Sequence, residues 1–319
     1  MIDIEFLRER SDIFRKIRSF FDGNGYLEVD TPVLSPNIIP ELCLEVFETV
    51  YVPPQKSRER KYWLVPSPEI WMKKLIASHG VNIYQICKCF RNGESVGRIH
   101  NPEFTMLEYY TMNTDYGDSL RITEEFLRFL SPRSELQPPF LRVSMDEAFW
   151  RWAGFGLFDA VEKNTLREEA LKLGLEPDLD INSADLYNLI FVHAVEPNLP
   201  KDRPVVLMDY PAFVPCLAKK HLNGKTVERW ELYVCGIELA NCYTEEVNPD
   251  EVRRYFLEEG RIKDECAVIP HDIDPDYWKI FERSFPACSG VALGADRLVM
   301  ALTGRSAIDG VLAFRDFCF

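Results

Sequence analysis

Residues 90–110 restrict the fold of this chain more than any other stretch, because they place charged and helix-breaking residues between two strand-like runs. Residues 81–90 (VNIYQICKCF) alternate apolar and polar side chains, as a half-buried strand does. A second strand-like run follows over residues 104–110. Gly93 and Pro102 lie between the two runs and oppose a helix there. The stretch therefore predicts an antiparallel hairpin with a long loop.

The loop of this predicted hairpin carries side chains that suit a nucleotide. Arg91 and Arg98 can bind polyphosphate oxygens through paired hydrogen bonds. The ring of Phe104 can stack on a purine. A solvated loop of mixed charge is the alternative interpretation. A second candidate phosphate-binding segment, about 190 residues later, favours the nucleotide.

That second segment covers residues 289–302 (SGVALGADRLVMAL). Gly290 and Gly294 permit close approach to a strand. Arg297 follows at the predicted junction of this strand with an apolar helix, where it can hold a terminal phosphate. Taken alone, the segment also fits a buried glycine-rich strand. Together with the hairpin, it predicts a nucleotide site.

The charge balance indicates which partners suit this chain. Lys and Arg number 37 against 51 Asp and Glu, which gives a net charge of −14. Because nucleic-acid-binding proteins usually present a basic surface, this balance argues against a large RNA as partner. No apolar run reaches the length of a membrane span, and the first residues lack the apolar core of a signal peptide. We therefore expect a soluble cytoplasmic protein that does not bind membranes.

Some residues that often bind metals favour a structural interpretation here. Nine cysteines include one C-x-C pair, Cys87 and Cys89, with no second pair and no nearby histidine. We expect reduced thiols in the core rather than a zinc site. His193 is a lone histidine on an apolar face and is expected to be packed in the core.

The remaining elements follow from periodicity and from capping residues. They are a helix over residues 4–25, a strand over 26–34 that Pro32 stops, a strand over 37–51, a strand, turn and helix over 64–77, a mostly helical insertion around 115–204, a strand over 205–210 and a helix over 250–261. Ser67 can cap the helix in the fourth of these, with Pro68 in its first turn. Glu69 then either complements the helix dipole or acts as a ligand.

Three glutamates recur every seven residues in the segment 228–246: Glu231, Glu238 and Glu245. This spacing could indicate a helix face, but the apolar pattern around Gly236 reads better as two strands joined by a turn. Clustered carboxylates are costly unless they bind a cation, so we expect Mg²⁺ or a substrate ammonium group there. A solvated acidic edge is the alternative.

The motifs YLEVDTPVL, FRN…HNPEFTMLEYY and GVALGADRLVMAL occur in that order and resemble motifs 1, 2 and 3 of class II aminoacyl-tRNA synthetases. HNPEFT and GIELAN are particularly similar to the lysyl branch, and the resemblance covers residues 6 to about 314. It implies an α+β fold with an antiparallel β-sheet flanked by helices. It also implies ATP and Mg²⁺ as cofactors and a homodimer formed through the motif 1 region.

Lysyl-tRNA synthetases carry an N-terminal β-barrel that reads the anticodon, whereas motif 1 here begins within about 30 residues of Met1. We therefore expect one catalytic domain over residues 1–319 and no anticodon-binding domain. At this length the chain is similar to the elongation factor P–lysine ligase family, which uses ATP to attach (R)-β-lysine to a lysine of elongation factor P. This similarity implies that tRNA is not the acceptor. Ala292 matches the VALG form of these ligases.

The resemblance also implies a role for each matching position. The ATP site would comprise Arg91, Asn92, Glu94, Arg98, His100, Asn101, Phe104, Glu238, Leu239, Gly294 and Arg297, with Arg91 and Arg297 as the catalytic pair. The substrate site would comprise Ser67, Pro68, Glu69, Tyr110, Asn241, Glu245 and Ala292, and Mg²⁺ would bind Glu231 and Glu238. Glu69 and Glu245 are expected at opposite ends of the pocket, each binding one ammonium group of a diamino acid.

Three points stay open at this level. The run RNGE has one residue more than the RNE of the family, so either Gly93 or Glu94 fills the glutamate position, and the charge favours Glu94. The chain could instead be a truncated lysyl-tRNA synthetase paralogue that activates α-lysine for another acceptor. It could also be a non-catalytic regulatory paralogue, although it retains Arg91, Glu238 and Arg297.

Overall fold

The structure is a computed structural model that describes residues 3–54, 59–94, 96–133 and 136–314. The helices are α1 (Ile4–Gly23), α2 (Glu69–His79), α3 (Tyr116–Leu130), α4 (Met145–Ala148), α5 (Leu157–Glu162), α6 (Leu166–Lys172), α7 (Ser183–Ile190), α8 (Pro249–Cys266) and α9 (Ala295–Thr303). The strands are β1 (Leu27–Glu28), β2 (Leu34–Ser35), β3 (Phe47–Tyr51), β4 (Arg60–Leu64), β5 (Ile83–Phe90), β6 (Glu103–Met112), β7 (Leu141–Ser144), β8 (Val205–Pro211), β9 (Thr226–Val234), β10 (Ile237–Thr244) and β11 (Cys288–Gly294).

The chain folds into two compact units. The first contains the described residues up to Asp115 and from Glu245 onward, and the second is Tyr116–Thr244. Helices α3 to α7 lie in the second unit, where a mostly helical segment was predicted. The prediction that this segment is an insertion in one catalytic domain over residues 1–319 extends beyond the described residues and stays a prediction.

The first unit confirms the predicted hairpin. Its sheet has the order β1, β5, β6, β11, in which β6 pairs antiparallel with both of its neighbours. The β5–β6 ladder runs from Ile83 opposite Tyr110 to Phe90 opposite Glu103. On the other side of β6, Gly290 of β11 lies opposite Tyr110. Strands β2, β4 and β3 form a separate small sheet in this order.

The start of the chain contains one confirmed prediction and one wrong one. Helix α1 begins after Asp3, whose side chain accepts a hydrogen bond from the Glu5 N–H, and it ends just before Asn24 and Gly25, as expected. The strand predicted over residues 26–34 is wrong, because only the short β1 and β2 form at its two ends. Pro32 lies between them and has no N–H to donate to a ladder, which explains the interruption.

The second unit has a sheet with the order β10, β9, β8, β7. Strands β9 and β10 form an antiparallel hairpin, so two strands are confirmed over the alternative of a helix. The turn places Cys235 at φ 53° and Gly236 at φ 74°, a conformation that glycine adopts readily. Helices α4 and α7 continue as short π-helical turns, Phe149–Ala153 and Phe191–Val195.

The core of the second unit is built on aromatic side chains of these helices. The Phe149 ring is fully buried, stacks on Tyr187 at 5.5 Å between centroids and meets the edge of Phe155 at 5.6 Å. The prediction for His193 is wrong, because its side chain is exposed and its Nδ1 lies 2.9 Å from the Leu189 carbonyl oxygen. It lies on the outer side of the π-helical turn, where the irregular helix shifts the face predicted from regular periodicity.

Each unit combines helices with a largely antiparallel sheet, so the predicted α+β class is confirmed. None of the helices within the described residues is both long and apolar enough to cross a membrane. None of the eight cysteines that the structure describes forms a disulfide, and Cys87 Sγ lies 3.8 Å from Cys89 Sγ on one face of β5. Within the described ranges, no group of three or more His, Cys, Asp or Glu side chains could hold a metal ion.

We expect Phe149→Ala to lower the free energy of unfolding by about 3–5 kcal/mol, because it leaves a cavity among buried aromatic rings. Equilibrium urea unfolding measures this change. Phe129→Ala on α3 is the matched control, because Phe129 is 52% exposed and its loss should change stability by no more than about 0.5 kcal/mol. Equal losses in the two variants would contradict the assigned core.

Candidate active site

The start of α2 brings a hydroxyl group and a carboxylate to the same place. Pro68 is the N-cap residue and makes no side-chain cap, whereas Ser67 Oγ accepts a hydrogen bond from the Glu69 N–H at 3.1 Å. Ser67 therefore caps the helix as expected, from one position further upstream. Its hydroxyl also donates to Glu108 Oε2 at 2.6 Å. The helix start is thus tied to β6 through Ser67.

Glu108 is a buried carboxylate that the sequence analysis did not assign to the site. Its Oε1 accepts a hydrogen bond from the Tyr110 hydroxyl at 2.8 Å, and the residue is 2% exposed. Burial raises the pKa of Glu108 to about 7, and the neighbouring charge of Glu69 raises it further against the hydrogen bonds from Ser67 and Tyr110. The alternation along β6 was the available signal, because it places Glu108 on the same face as Tyr110.

Lys73 lies between two of the predicted ligands. Its Nζ is 2.5 Å from Glu69 Oε1 and 2.5 Å from Glu245 Oε2, so these two oxygens are at most 5.0 Å apart. The expectation that Glu69 and Glu245 lie at opposite ends of a pocket is therefore wrong. The physical reason is that Lys73 follows Glu69 by one helical turn and draws both carboxylates to one ammonium group.

The protonation of this group reflects its burial. Burial raises the pKa of Glu245 to about 8, although the charge of Lys73 opposes this shift. Burial by itself would lower the pKa of Lys73, but the charges of Glu245 and Glu69 outweigh it and raise that pKa well above its ordinary value. Lys73 is therefore charged at neutral pH, while Glu108 and Glu245 titrate near it. We call Glu69, Lys73, Glu108 and Glu245 the acidic cluster.

Strand β11 presents only small residues beside this cluster. Gly290 lies opposite Tyr110, Ala292 opposite Glu108 and Gly294 opposite Met106. A Cβ atom at residue 290 would lie 2.5 Å from Tyr110 Cε1 and 2.8 Å from Glu245 Oε1, so only glycine fits there. A small cleft with room for about one water molecule borders the cluster at Ser67 and Glu69, and its other lining residues are Ile38, Ile39, Glu41, Val65, Pro66 and Ile70.

The predicted nucleotide residues of the first unit gather near the other end of β6. The Arg91 guanidinium lies 5.2 Å from the centroid of the Phe104 ring, and Arg91 Nη1 is 3.7 Å from Glu94 Oε1. Arg91 Nε is buried and has no hydrogen-bond partner among the residues that the structure describes. Gly93 occupies the turn at φ 71°, so Glu94 carries the charge at this point. An unpaired buried donor beside an exposed ring edge suits an anionic, aromatic ligand.

Arg297 and His100 extend this group. Arg297 Nε lies 3.4 Å from the Ile99 carbonyl oxygen. Burial lowers the pKa of His100, and the positive charges of Arg297 and Arg91 lower it further. The charges of Arg91 and Arg297 thus both act on His100, and a shared role of the three side chains toward one polyphosphate stays a prediction. A Cβ atom at Gly294 would lie 3.4 Å from Arg297 Cδ, which is ordinary contact, so packing does not require glycine at that position.

A buried aspartate fixes the position of Arg297, and the sequence analysis did not single it out. Asp296 Oδ1 accepts a hydrogen bond from Arg10 Nη2 at 2.7 Å, and Asp296 Oδ2 accepts one from the Thr105 N–H at 2.7 Å. Arg10 also donates to Thr105 Oγ1 at 3.2 Å. The start of α9 is thereby held against α1 and β6, next to the phosphate-binding candidates.

Other predicted ATP ligands use their side chains for local structure. Asn92 Nδ2 donates to the Val46 carbonyl, Asn101 Nδ2 to the Glu103 carbonyl and Arg98 Nη1 to the Ser306 carbonyl. These contacts shape the loop of the hairpin. Their roles toward ATP stay predictions.

The four candidates of the second unit lie on β9 and β10. Asn241 lies opposite Glu231, and Glu238 lies opposite Tyr233. This register places the side chains of Glu231, Glu238 and Asn241 on one face of the hairpin. Leu239 is buried. Glu231 Oε1 accepts a hydrogen bond from Arg229 at 2.7 Å and Glu231 Oε2 accepts one from Tyr233 at 3.0 Å. The negative charge of Glu231 is thus already paired with Arg229, and its role as a Mg²⁺ ligand stays a prediction.

The sequence was also compared with known protein families. Residues 4–316 match the family described as tRNA synthetases class II (D, K and N). The chain belongs to this family. Membership in the class II synthetases indicates amino-acid adenylation and an ATP-dependent ligase, in a class that generally uses ATP and Mg²⁺. The predicted class II fold is confirmed, and the residues gathered around β6 are the candidates for this chemistry.

The acidic cluster should make stability depend on pH. The pKa values of Glu108 and Glu245 in the folded protein, about 7 and about 8, exceed the ordinary glutamate value of 4.5. The folded state therefore holds protons that the unfolded state releases between about pH 5 and pH 8, and this contribution to the free energy of unfolding falls as pH rises.

We expect the stability of wild type, relative to Glu108→Gln, to fall between pH 5 and pH 8, as measured by urea unfolding at each pH. Glu282→Gln is the control, because Glu282 is exposed and its removal should leave the pH profile unchanged. Parallel profiles for wild type and Glu108→Gln would show that Glu108 does not titrate in this range.

Proposed function

We propose that this class II synthetase adenylates (R)-β-lysine and transfers it to the ε-amino group of a lysine in elongation factor P. The acidic cluster is the observation that supports a diamino acid as the substrate. Among the described residues, three carboxylates are buried side by side with Lys73 between two of them, and a small cleft borders this group at Ser67 and Glu69. Buried carboxylates need cationic partners, and a diamino acid supplies two.

The chemistry proposed for the phosphate-binding group follows from charge. The substrate carboxylate attacks the α-phosphorus of ATP, the bond to the bridging oxygen breaks and pyrophosphate leaves. Arg91 and Arg297 would stabilise the negative charge that develops on the phosphate oxygens. The neutral acceptor amine then attacks the carbonyl carbon of the mixed anhydride, the bond to the phosphate oxygen breaks, AMP leaves, and an amide forms as the nitrogen releases one proton to solvent. Mg²⁺ would balance phosphate charge in the first step, when pyrophosphate leaves.

The choice of the β-isomer rests on Ala292 and on the resemblance to the lysine ligases. Ala292 lies directly opposite Glu108 on the adjacent strand, so its methyl group occupies the floor beside a carboxylate of the cluster. A methyl group there favours a substrate whose amino group is displaced along the chain. Elongation factor P as acceptor rests on the same resemblance and on the net charge of −14, which suits a large RNA poorly. The cytoplasmic location and the homodimer belong to the same proposal.

The substrate is tested by ATP–pyrophosphate exchange with (R)-β-lysine, (S)-β-lysine, α-lysine and aspartate. The proposal expects (R)-β-lysine to give the highest kcat/KM and to be transferred to elongation factor P in a second assay. A clear preference for α-lysine would move the assignment to a lysyl-tRNA synthetase paralogue. Absence of exchange with every amino acid would support a regulatory paralogue.

We expect Arg297→Ala to reduce pyrophosphate exchange at least about 100-fold, because a charge that stabilises the transition state is lost. The fold should persist, since Asp296 keeps its buried hydrogen bonds with Arg10 and Thr105 at this junction. Arg261→Ala on α8 is the matched control, because its side chain is 65% exposed and pairs with Glu265. Near-normal exchange by Arg297→Ala, with an intact melting transition, would remove Arg297 from the site.

A further inference from the structure

Lys73 is the member of the acidic cluster to which the proposed function gives no role. Its ammonium group is 1% exposed and forms ion pairs with Glu69 and Glu245. A lysine with only a surface role on α2 would pair with Glu69 one turn away and would keep its ammonium group in water. Lys73 instead reaches a carboxylate 172 residues along the chain, inside the protein.

Among the described residues that contact the cluster, the acidic groups outnumber the basic ones. Three carboxylates, Glu69, Glu108 and Glu245, are buried with one lysine. The groups that face them include the hydroxyls of Ser67, Tyr110 and Tyr277 and the thiol of Cys288, which carry no positive charge. Two further positive charges are needed for neutrality. The raised pKa values of Glu108 and Glu245 agree with this deficit, because proton uptake relieves it.

Two buried polar atoms, one in the cluster and one beside it, have no hydrogen-bond partner among the described residues. Glu245 Oε1 is buried and accepts no hydrogen bond from the described part of the chain, and it faces the bare backbone of Gly290. The Tyr277 hydroxyl is likewise buried without a hydrogen-bond partner among the described residues, and it senses the charges of Lys73, Glu69 and Glu245. Unsatisfied buried polar atoms are rare in proteins and are typical of binding sites.

We propose that Lys73 is a positioning and specificity residue. It supplies one of the three positive charges that the three carboxylates of the acidic cluster require. The substrate then has to supply the other two, so the site selects a substrate with two ammonium groups. This inference rests on the proposed function, because it assumes an amino-acid substrate at the cluster. Lys73 holds Glu69 and Glu245 side by side by pairing with Glu245 Oε2, and Glu245 Oε1 lies next to Gly290. A substrate with one ammonium group leaves one buried carboxylate unpaired.

The first test removes the charge of Lys73 and keeps its volume. We expect Lys73→Met to raise the KM for the diamino acid by about 10- to 100-fold, because a buried carboxylate loses its partner, and to leave the KM for ATP within about twofold. Lys74→Met is the matched control on the same helix, since the Lys74 side chain is 32% exposed and pairs with Asp274. A wild-type KM for the amino acid in Lys73→Met would overturn the inference.

The second test distinguishes charge from packing. Lys73→Ala lacks three methylene groups and the ammonium group, which correspond in size to propylammonium. We expect propylammonium to raise the rate of pyrophosphate exchange by Lys73→Ala at least about tenfold, whereas 1-propanol, of similar size but uncharged, should leave that rate unchanged. Equal rescue by the two compounds would show that Lys73 only fills space.

The third test uses wild type and does not depend on the folding of a variant. Titration calorimetry at pH 7, in two buffers of different ionisation enthalpy, counts the protons released on binding. We expect a diamino acid to release more protons than its analogue lacking the distal amino group, because two ammonium groups displace protons from Glu108 and Glu245. Equal proton release would overturn the charge count.

These outcomes separate the inference from the proposed function. Wild type that neither binds nor activates a diamino acid would overturn both. Wild type that activates a diamino acid, together with an unaffected Lys73→Met, would overturn the role of Lys73 alone.

Discussion

The antiparallel pairing of β6 with both β5 and β11 is the constraint on which the first unit depends. Side chains alternate along a strand, so Phe104, Met106, Glu108 and Tyr110 share one face. The nucleotide candidate Phe104 and the amino-acid candidates Glu108 and Tyr110 are therefore aligned by one strand. A register shift of one residue would turn all of them to the opposite face.

The opposite face of β6 supports the site instead of forming it. Thr105 lies between two site-facing residues and contacts both Arg10 and Asp296. Asp296 precedes Arg297 in the chain, so a buried hydrogen-bond network on one side of the sheet positions a phosphate-binding candidate on the other. A strand buried on both faces can separate the two tasks in this way.

Local patterns in the sequence were sufficient for much of the fold. The β5–β6 hairpin, the end of α1 and the turn at Gly236 depend on alternation and on glycine chemistry, which are visible in the residues themselves. The strand predicted over residues 26–34 was too long. Its apolar alternation favours a strand, but only residues 27–28 and 34–35 pair with neighbouring strands. The π-helical turns after α4 and α7 carry no glycine or proline signal, and tertiary packing sets them.

The candidate site was predictable in composition but not in arrangement. Glu69 and Glu245 were recognised as individual residues, whereas their meeting at Lys73 is a contact between distant segments that no local pattern encodes. Glu108 could have been found from its position two residues before Tyr110, because the two share a face of β6. Glu231 was expected to be free for a cation, and its pairing with Arg229 two residues away on β9 was within reach of the same argument.

The bond between Arg10 and Asp296 joins residues 286 positions apart. During synthesis the chain emerges from its N-terminus, and early segments fold before later ones exist. Helix α1 and the β5–β6 hairpin can form early, but Arg10 has no aspartate at this junction until residue 296 has been made. A nascent polypeptide that stops short of residue 296 therefore lacks the support of its phosphate-binding group, and this centre assembles only after both of its distant segments have left the ribosome.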